Sequence, residues 1–160
     1  MTVGVQGVRL RIYADTSVIG GCLDPEFEES SPELFRWFVH GEHVLVLSSV
    51  TTGELASAPD EVRKVVDEVP EQHIERALLG PDGEHLAKPY LGAGVIPRRF
   101  IADAQHIAIA TLAEVDVLVS WNFKHIVNLR RIRGYNAVNL GMGYHPLEIR
   151  TPREVLDDKD

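Results

Sequence analysis

Four polar side chains in this sequence have the chemical types and the placement that a site for a hard cation needs. Each lies at the edge of an apolar segment, and they are Asp15, Glu54, Asp103 and Asn122. Carboxylate and amide oxygens that folding brings together are ligands that Mg²⁺ and Mn²⁺ prefer. Such a cation can assist the cleavage of a phosphodiester, so this chemistry is the first hypothesis for the chain.

The apolar segments next to these residues are predicted to be strands. Residues 8–14 alternate apolar and polar side chains and end at Asp15. Residues 44–47 are a continuous apolar run, typical of a parallel strand covered on both faces, and residues 115–119 are predicted to form another apolar strand. Open α/β sheets bind ligands beyond the carboxyl ends of their strands. Asp15 and Asn122 follow two of these strands, so we expect both at the same rim of the sheet.

Glu54 and Asp103 are predicted to lie on helices. Glu54 comes one short turn after the strand at residues 44–47, near the start of its helix. Asp103 lies in the early turns of a long helix over residues 98–113, on its apolar face. A buried charge there needs a partner, and a metal ion is one. Taken alone, Asp15 could be only a helix cap and Glu54 only a solvated acid, so the ordered set carries the argument.

The remaining segments complete an α/β pattern. The other predicted elements are helices over residues 30–40 and 59–69, helical pieces between residues 71 and 96, short late strands at residues 137–140 and 147–149, and a capped turn at residues 151–154. Because strands alternate with helices throughout, we expect a parallel-rich α/β sheet covered on both faces. We expect one domain over residues 1–160, with loose ends at 1–7 and 157–160.

Composition bounds the class of protein. Hydrophobic residues make up 44% and charged residues 25% of the 160 residues, which is ordinary for a globular protein with a core. The single cysteine, Cys22, excludes an intramolecular disulfide, and no apolar run approaches the roughly 20 residues of a membrane span. The N-terminus lacks the regions of a signal peptide, so we expect a cytoplasmic protein.

The net charge of −8 does not by itself favour a nucleic-acid substrate, because phosphates attract Lys and Arg. Divalent cations would make a carboxylate site less negative. Basic side chains also flank the predicted rim, and these are Arg98, Arg99, Lys124, Arg130 and Arg131. They could contact phosphates or form an ordinary solvated face. His106 follows Asp103 by three residues and could support the site by a hydrogen bond or be only a helix side chain.

The candidate residues, taken in order with their neighbours, resemble a PIN-domain nuclease of the VapC type over residues 9–156. The matching side chains are the acids Asp15, Glu54 and Asp103, with the hydroxyls Thr16, Ser17 and Ser120 in support. The most persuasive stretch is the helix at residues 102–110 together with the strand that follows it. Specificity comes from the order of these short motifs rather than from any one of them.

The resemblance implies a fold, an activity and partners. The fold would be a three-layer α/β/α sandwich with a mainly parallel central sheet. The activity would be hydrolysis of RNA phosphodiesters with Mg²⁺ or Mn²⁺ as cofactor, and the catalytic and metal-binding roles would fall on Asp15, Glu54, Asp103 and Asn122. The partners would be RNA as substrate, a cognate antitoxin protein and a second copy of the chain in a homodimer, with no membrane.

One position departs from the family pattern, since PIN domains usually carry an aspartate where this chain has Asn122. A neutral amide oxygen can still bind a hard cation, but the lower charge of the site favours one metal over two. Two alternatives stay open. One is a PIN-like protein with weakened catalysis that binds RNA or an antitoxin. The other is a phosphohydrolase with Asp15 as nucleophile, although such enzymes carry a second aspartate where this chain has Ser17.

Overall fold

The computed structural model describes residues 8–25 and 29–157, and within them five strands form one sheet whose neighbouring strands are all parallel. The strands are β1 (Arg11–Ala14), β2 (Val44–Ser48), β3 (Ile74–Ala77), β4 (Val117–Val119) and β5 (Ile149–Arg150). Their order is β3-β2-β1-β4-β5, and Tyr13 pairs with Val46 on one side and with Leu118 on the other. The predicted parallel-rich α/β sheet is confirmed.

Eight α-helices lie in the same described residues. They are α1 (Thr16–Gly20), α2 (Ser30–Val39), α3 (Ser49–Leu55), α4 (Asp60–Asp67), α5 (Pro81–Gly92), α6 (Ile101–Leu112), α7 (Leu129–Gly141) and α8 (Pro152–Asp157). Side-chain caps set two of the starts that matter for the site. Asp15 accepts a hydrogen bond from the backbone N–H of Val18 to begin α1, and Ser48 accepts one from Thr51 to begin α3.

Both faces of the sheet are covered, because successive side chains of each strand point to opposite faces. One core lies against α5, α6 and α7 and contains Tyr13 and Val46. The other lies against α1, α2 and α8 and contains Ile12 and Leu45. These layers confirm the predicted α/β/α sandwich. Tyr13, which the alternating pattern grouped with the polar side chains of its strand, is fully buried.

The direction in which the chain adds strands to the sheet reverses at β1. Strands β2 and β3 lie on one side of β1, whereas β4 and β5 lie on the other. Ligand crevices in open parallel sheets form at such a switch point, beyond the carboxyl ends of the strands. Asp15 directly follows β1 and Ser120 directly follows β4, so both stand at this crevice.

The structure corrects two element predictions. Residues 137–140, predicted as a strand, belong to α7, because a run of only four residues also fits one helical turn. Asn139 is buried there, and its Oδ1 accepts from the Tyr90 hydroxyl. Strand β3 went unrecognised between residues 71 and 96, because it is a short, half-buried edge strand. In the same stretch, Pro81 is the first residue of α5, a position that proline favours.

The last predicted elements are confirmed in outline. Strand β5 overlaps the predicted strand at residues 147–149. The predicted capped turn is a reciprocal capping box, in which Thr151 N–H donates to Glu154 Oε1 at 3.0 Å and Glu154 N–H donates to Thr151 Oγ1 at 3.2 Å. Asp157, expected in the loose end, is the last residue of α8. The other expected loose ends, 1–7 and 158–160, lie outside the described residues.

Candidate active site

Asp15 is the most deeply buried of the candidate acids, with 4% of its surface exposed. Its Oδ1 accepts from the Ser17 hydroxyl at 2.6 Å and from the Val18 N–H at 3.2 Å, and its Oδ2 accepts from the Ser120 hydroxyl at 2.6 Å. Burial raises the pKa of Asp15, while nearby His106 and these hydrogen bonds oppose the rise. Asp15 is therefore both a helix cap and a carboxylate fixed at the switch point.

Asn122 is connected to Asp15 through Ser120. The Ser120 hydroxyl that donates to Asp15 also accepts from the Asn122 N–H at 2.9 Å. The Asn122 side-chain Oδ1 accepts from the backbone N–H groups of Lys124 and His125, at 3.2 and 3.0 Å. The amide oxygen thus caps the turn that follows, and its role as a metal ligand stays a prediction.

Glu54 lies in the last turn of α3, not near its start as predicted, because the helix begins directly at the end of β2. Its Oε1 accepts from the Thr16 hydroxyl at 2.7 Å and lies 2.8 Å from His106 Nε2. The hydrogen bond from His106 is the main cause of a lowered Glu54 pKa. Glu54 is therefore an ionised carboxylate held at one of its two oxygens.

Asp103 lies in the first turn of α6 and accepts no hydrogen bond from the described residues. Its pKa is raised to about 6, chiefly by burial, with His106 opposing the rise and the negative charges of Asp15 and Glu54 adding to it. The three acids therefore act on one another electrostatically. Folding brings them together from the end of β1 and from helices α3 and α6.

Behind Glu54 lies a set of buried polar side chains that sequence reasoning did not identify as a unit. His106 is 2% exposed, and its Nδ1 lies 2.6 Å from the Tyr13 hydroxyl oxygen. The Tyr13 hydroxyl donates in turn to Ser48 Oγ at 2.7 Å. The spacing of His106 from Asp103 suggested a supporting role for the histidine, but nothing local in the sequence indicated Tyr13 or Ser48.

The donor set fits a hard divalent cation by its chemistry, although the side chains as placed do not form a complete ligand cage. Across residues 8–25 and 29–157, no three His, Cys, Asp or Glu side chains stand ready to hold one ion. Asp103 is nonetheless a carboxylate without a hydrogen-bond donor, destabilised in its charged form by two neighbouring acids. A cation bound among the three would relieve that repulsion.

The basic side chains predicted to contact RNA come from two segments that the fold places side by side. Arg98 and Arg99 lie in a 3₁₀ turn (Arg98–Phe100) that leads into α6. The Arg99 guanidinium lies 4.9 Å from the centre of the Phe100 ring, and that ring lies 3.9 Å from the His125 ring. Exposed Lys124 precedes His125, so both segments border the site beside Asn122.

Arg130 and Arg131 lie in the first turn of α7 and differ in their surroundings. Arg130 is exposed. The Arg131 guanidinium instead donates to the backbone carbonyls of Val95 and Lys124, which ties α7 to neighbouring loops. The exposed cations at this border are therefore Arg98, Arg99, Lys124 and Arg130.

No family model matches the chain, and no curated protein does either. Within the described residues, no helix has the length and apolar character needed to cross a bilayer.

Similar solved structures include VapBC2 from Rickettsia felis and FitAcB from Neisseria gonorrhoeae. VapBC2, bound to a DNA fragment from its promoter, has a TM-score of 0.52 and 16% identity over 75% of this chain and 96% of that chain. FitAcB has a TM-score of 0.53 and 16% identity over 89% of this chain and 98% of that chain. Likeness at this identity concerns the fold, and the chain has the PIN-domain, VapC-like α/β fold that the sequence resemblance predicted.

Proposed function

We propose that the protein is a metal-dependent ribonuclease and the toxin of a toxin–antitoxin pair. The observation that carries the proposal is the meeting of Asp15, Glu54 and Asp103 at the switch point of the sheet. There burial, with the negative charges of Asp15 and Glu54 adding to its effect, raises the pKa of Asp103 to about 6. Like charges held close together cost free energy, and their retention is typical of a functional site. The PIN-like fold supports the same conclusion.

In this proposal, Asp15, Glu54 and Asp103 hold Mg²⁺ or Mn²⁺, with Asn122 as the fourth candidate ligand. When bound, the cation polarises a phosphoryl oxygen and lowers the pKa of water, which is the chemistry of phosphodiester hydrolysis. The chain supplies the positioning. Hydroxyls of Ser17 and Ser120 fix Asp15, the Thr16 hydroxyl fixes Glu54, and burial keeps Asp103 poised to accept a positive ligand.

The exposed cations beside the site would bind the phosphates of RNA, and these are Arg98, Arg99, Lys124 and Arg130. They give a protein of net charge −8 one locally positive border. Because phosphate contacts release counterions, we expect RNA binding to weaken steeply as the salt concentration rises.

The toxin assignment rests on the fold shared with VapBC2 and FitAcB, each solved as a complex. We propose that this chain likewise binds a cognate antitoxin in the cytoplasm and acts as a homodimer. Co-purification of the chain with the product of the neighbouring reading frame, followed by light scattering of the free chain, tests both parts. A free chain that is monomeric throughout would contradict the homodimer.

The nuclease proposal is tested by incubating structured and single-stranded RNAs with the protein and Mn²⁺, Mg²⁺ or a chelator. We expect cutting that needs the metal and is lost in Asp103→Asn. The matched control is Glu75→Gln, which removes an acid at the far end of the sheet. A chelator-resistant activity, or equal cutting by Asp103→Asn, would contradict the proposal.

A second candidate function has one specific observation in its favour. Asn122 is not an acid, and its amide oxygen already caps a turn. The chain would then be a PIN-like protein of weakened catalysis that binds RNA or an antitoxin. Restoring the family residue with Asn122→Asp discriminates between the two. A large gain in metal-dependent cutting supports weakened catalysis, whereas unchanged cutting supports an active wild type.

A further inference from the structure

His106 is bonded at both ring nitrogens by side chains of the candidate site rather than by the backbone. Its Nε2 lies 2.8 Å from Glu54 Oε1, and its Nδ1 lies 2.6 Å from the Tyr13 hydroxyl. An ionised carboxylate can only accept, so Nε2 carries the proton of the first bond. The side chain is 3% exposed, so water does not compete for either nitrogen.

Two other histidines show what a merely structural imidazole does in this fold. His43 Nδ1 accepts from the backbone N–H of Leu10 at 3.0 Å, and His73 Nδ1 lies 2.9 Å from the backbone carbonyl oxygen of Phe38. Both satisfy main-chain groups away from the acids. His106 differs because its partner is a carboxylate whose own position matters for binding a cation.

The hydrogen-bonded side chains form a closed path through β1, the junction of β2 with α3, and α6. Tyr13 of β1 bonds to Ser48 Oγ at 2.7 Å, and the same oxygen accepts from the Thr51 N–H to cap α3. Glu54 lies in the last turn of that helix and returns the path to His106 on α6. The start of α3 and its last turn are therefore both tied to the imidazole.

These hydrogen bonds restrain the Glu54 side chain, which would otherwise be mobile. Its side chain is 40% exposed and stands at the end of a helix of seven residues. A long acidic side chain in that setting loses rotamer freedom when it binds a ligand. Because Thr16 and His106 both bond to Oε1, the side chain loses this rotamer entropy during folding rather than on binding a ligand. Its other oxygen, Oε2, has no hydrogen-bond donor among the described residues.

We propose that His106, held by Tyr13, is a positioning residue that fixes the Glu54 carboxylate for binding a divalent cation. This inference rests on the proposed function. It assigns to His106 the part that hydrogen-bond partners of metal ligands take in other proteins, where their loss weakens metal binding about 10- to 100-fold. Tyr13 would then support the same carboxylate indirectly, through its hydrogen bond to His106.

The test compares Mn²⁺ affinity, by titration calorimetry, among His106→Leu, Tyr13→Phe and two matched controls. The controls are His73→Leu, which removes a structural histidine, and Tyr90→Phe, which removes a buried hydroxyl bonded to Asn139. We expect a loss of about tenfold or more for His106→Leu, in line with such partners elsewhere. Tyr13→Phe should lose less, and the controls should match the wild type.

A double-mutant cycle separates positioning from general damage. In the Glu54→Ala background, His106→Leu should cause a much smaller loss of Mn²⁺ affinity, because the carboxylate that the histidine positions is then absent. Equal losses in both backgrounds would overturn the proposal. If the melting temperature of His106→Leu is far below that of its control, the same double-mutant cycle is measured with Tyr13→Phe, which removes only one oxygen atom.

Nuclear magnetic resonance gives a readout that needs neither metal nor RNA. We expect a slowly exchanging ring N–H signal from His106 that shifts in Glu54→Ala and in Tyr13→Phe but not in Tyr90→Phe. A wild type that binds Mn²⁺ without this signal would overturn the positioning role alone. A wild type that shows the signal but binds no Mn²⁺ would overturn the proposed cofactor and still support the fixed Glu54.

Discussion

The two ends of the sheet treat charge in opposite ways. At the amino end, Arg11 pairs with Glu75 at 2.5 Å, donates to the carbonyls of Ala113 and Glu114, and offers its backbone N–H to Asp116. At the carboxyl end, Asp15, Glu54 and Asp103 gather without a salt bridge to any described Lys or Arg, and only His106 stands among them.

The difference separates an acid stabilised by an ion pair from acids that lie together with no described Lys or Arg partner. Pairing with Arg11 lowers the pKa of Glu75, so that carboxylate is favoured in its charged form by folding. Asp103 has its pKa raised, so folding disfavours its charge. A protein tolerates such a cost where function needs it. The following predictions use that contrast, from the largest expected effect to the smallest.

Asp103→Asn should lower metal-dependent RNA cleavage about a thousandfold, because a catalytic cation supplies several kcal/mol of transition-state stabilisation. Single-turnover cleavage at saturating enzyme measures the effect. Glu75→Gln, at the paired end, should keep the wild-type rate. If both variants cut equally well, the two ends of the sheet do not differ in function.

Reversing charge at the basic border should weaken RNA binding without changing the acids. We expect Arg98→Glu with Arg99→Glu to lower RNA affinity about tenfold and to reduce its dependence on salt, since fewer counterions are released. Fluorescence anisotropy of a labelled RNA at several salt concentrations is the measurement. Arg36→Glu, in α2 and paired with Glu33, is the control. Equal losses in both would point to net charge rather than a local surface.

The stability of the metal-free protein should depend on pH through Asp103. Its folded pKa of about 6 exceeds the ordinary 3.8, so the folded state holds the proton more tightly. The free energy of unfolding should therefore fall as pH rises from about 4 to 6 and level off above. Relative to Asp103→Asn, we expect a drop of about 1 kcal/mol, after allowance for solvent screening of a half-exposed group. Urea unfolding at pH 4.5 and 7 measures it, and parallel profiles would contradict the assignment.

The amino end should show the opposite sign and the smallest effect. Because the pKa of Glu75 is lowered, its contribution is present at neutral pH and is lost as pH falls through the folded pKa. Glu75→Gln should cost about 0.5 kcal/mol at pH 7, as is usual for a partly exposed ion pair. The same urea experiment serves, and a stabilising Glu75→Gln would remove the contrast between the two ends.

The acids could be predicted from sequence because strand ends and helix faces are local patterns. Asp15 follows a period-two run, and Asp103 interrupts an apolar helix face, so each is visible without a structure. Glu54 was identified but misplaced within its helix, because α3 begins directly after β2 with Ser48, the last residue of that strand, as its cap. The resemblance then predicted the layers of the fold.

What the sequence did not reveal depends on contacts between distant segments. The bond from Tyr13 to His106 joins residues 93 positions apart, and no spacing rule connects them. The turn capped by Asn122 makes an expected ligand into a structural group as well, a role that only the backbone geometry displays. Strand β3 is recognisable as a strand only through its pairing with β2.

The hydrogen bond from Ser120 to Asp15 spans 105 residues and joins strands that are neighbours in space but distant along the chain. A ribosome makes the amino-terminal part first, and contacts between distant residues form late in folding. Strand β4 and Ser120 must therefore emerge from the ribosome before the β4 side of the crevice beside Asp15 can form. The growing chain is therefore synthesised through most of its length before the crevice beside Asp15 is complete.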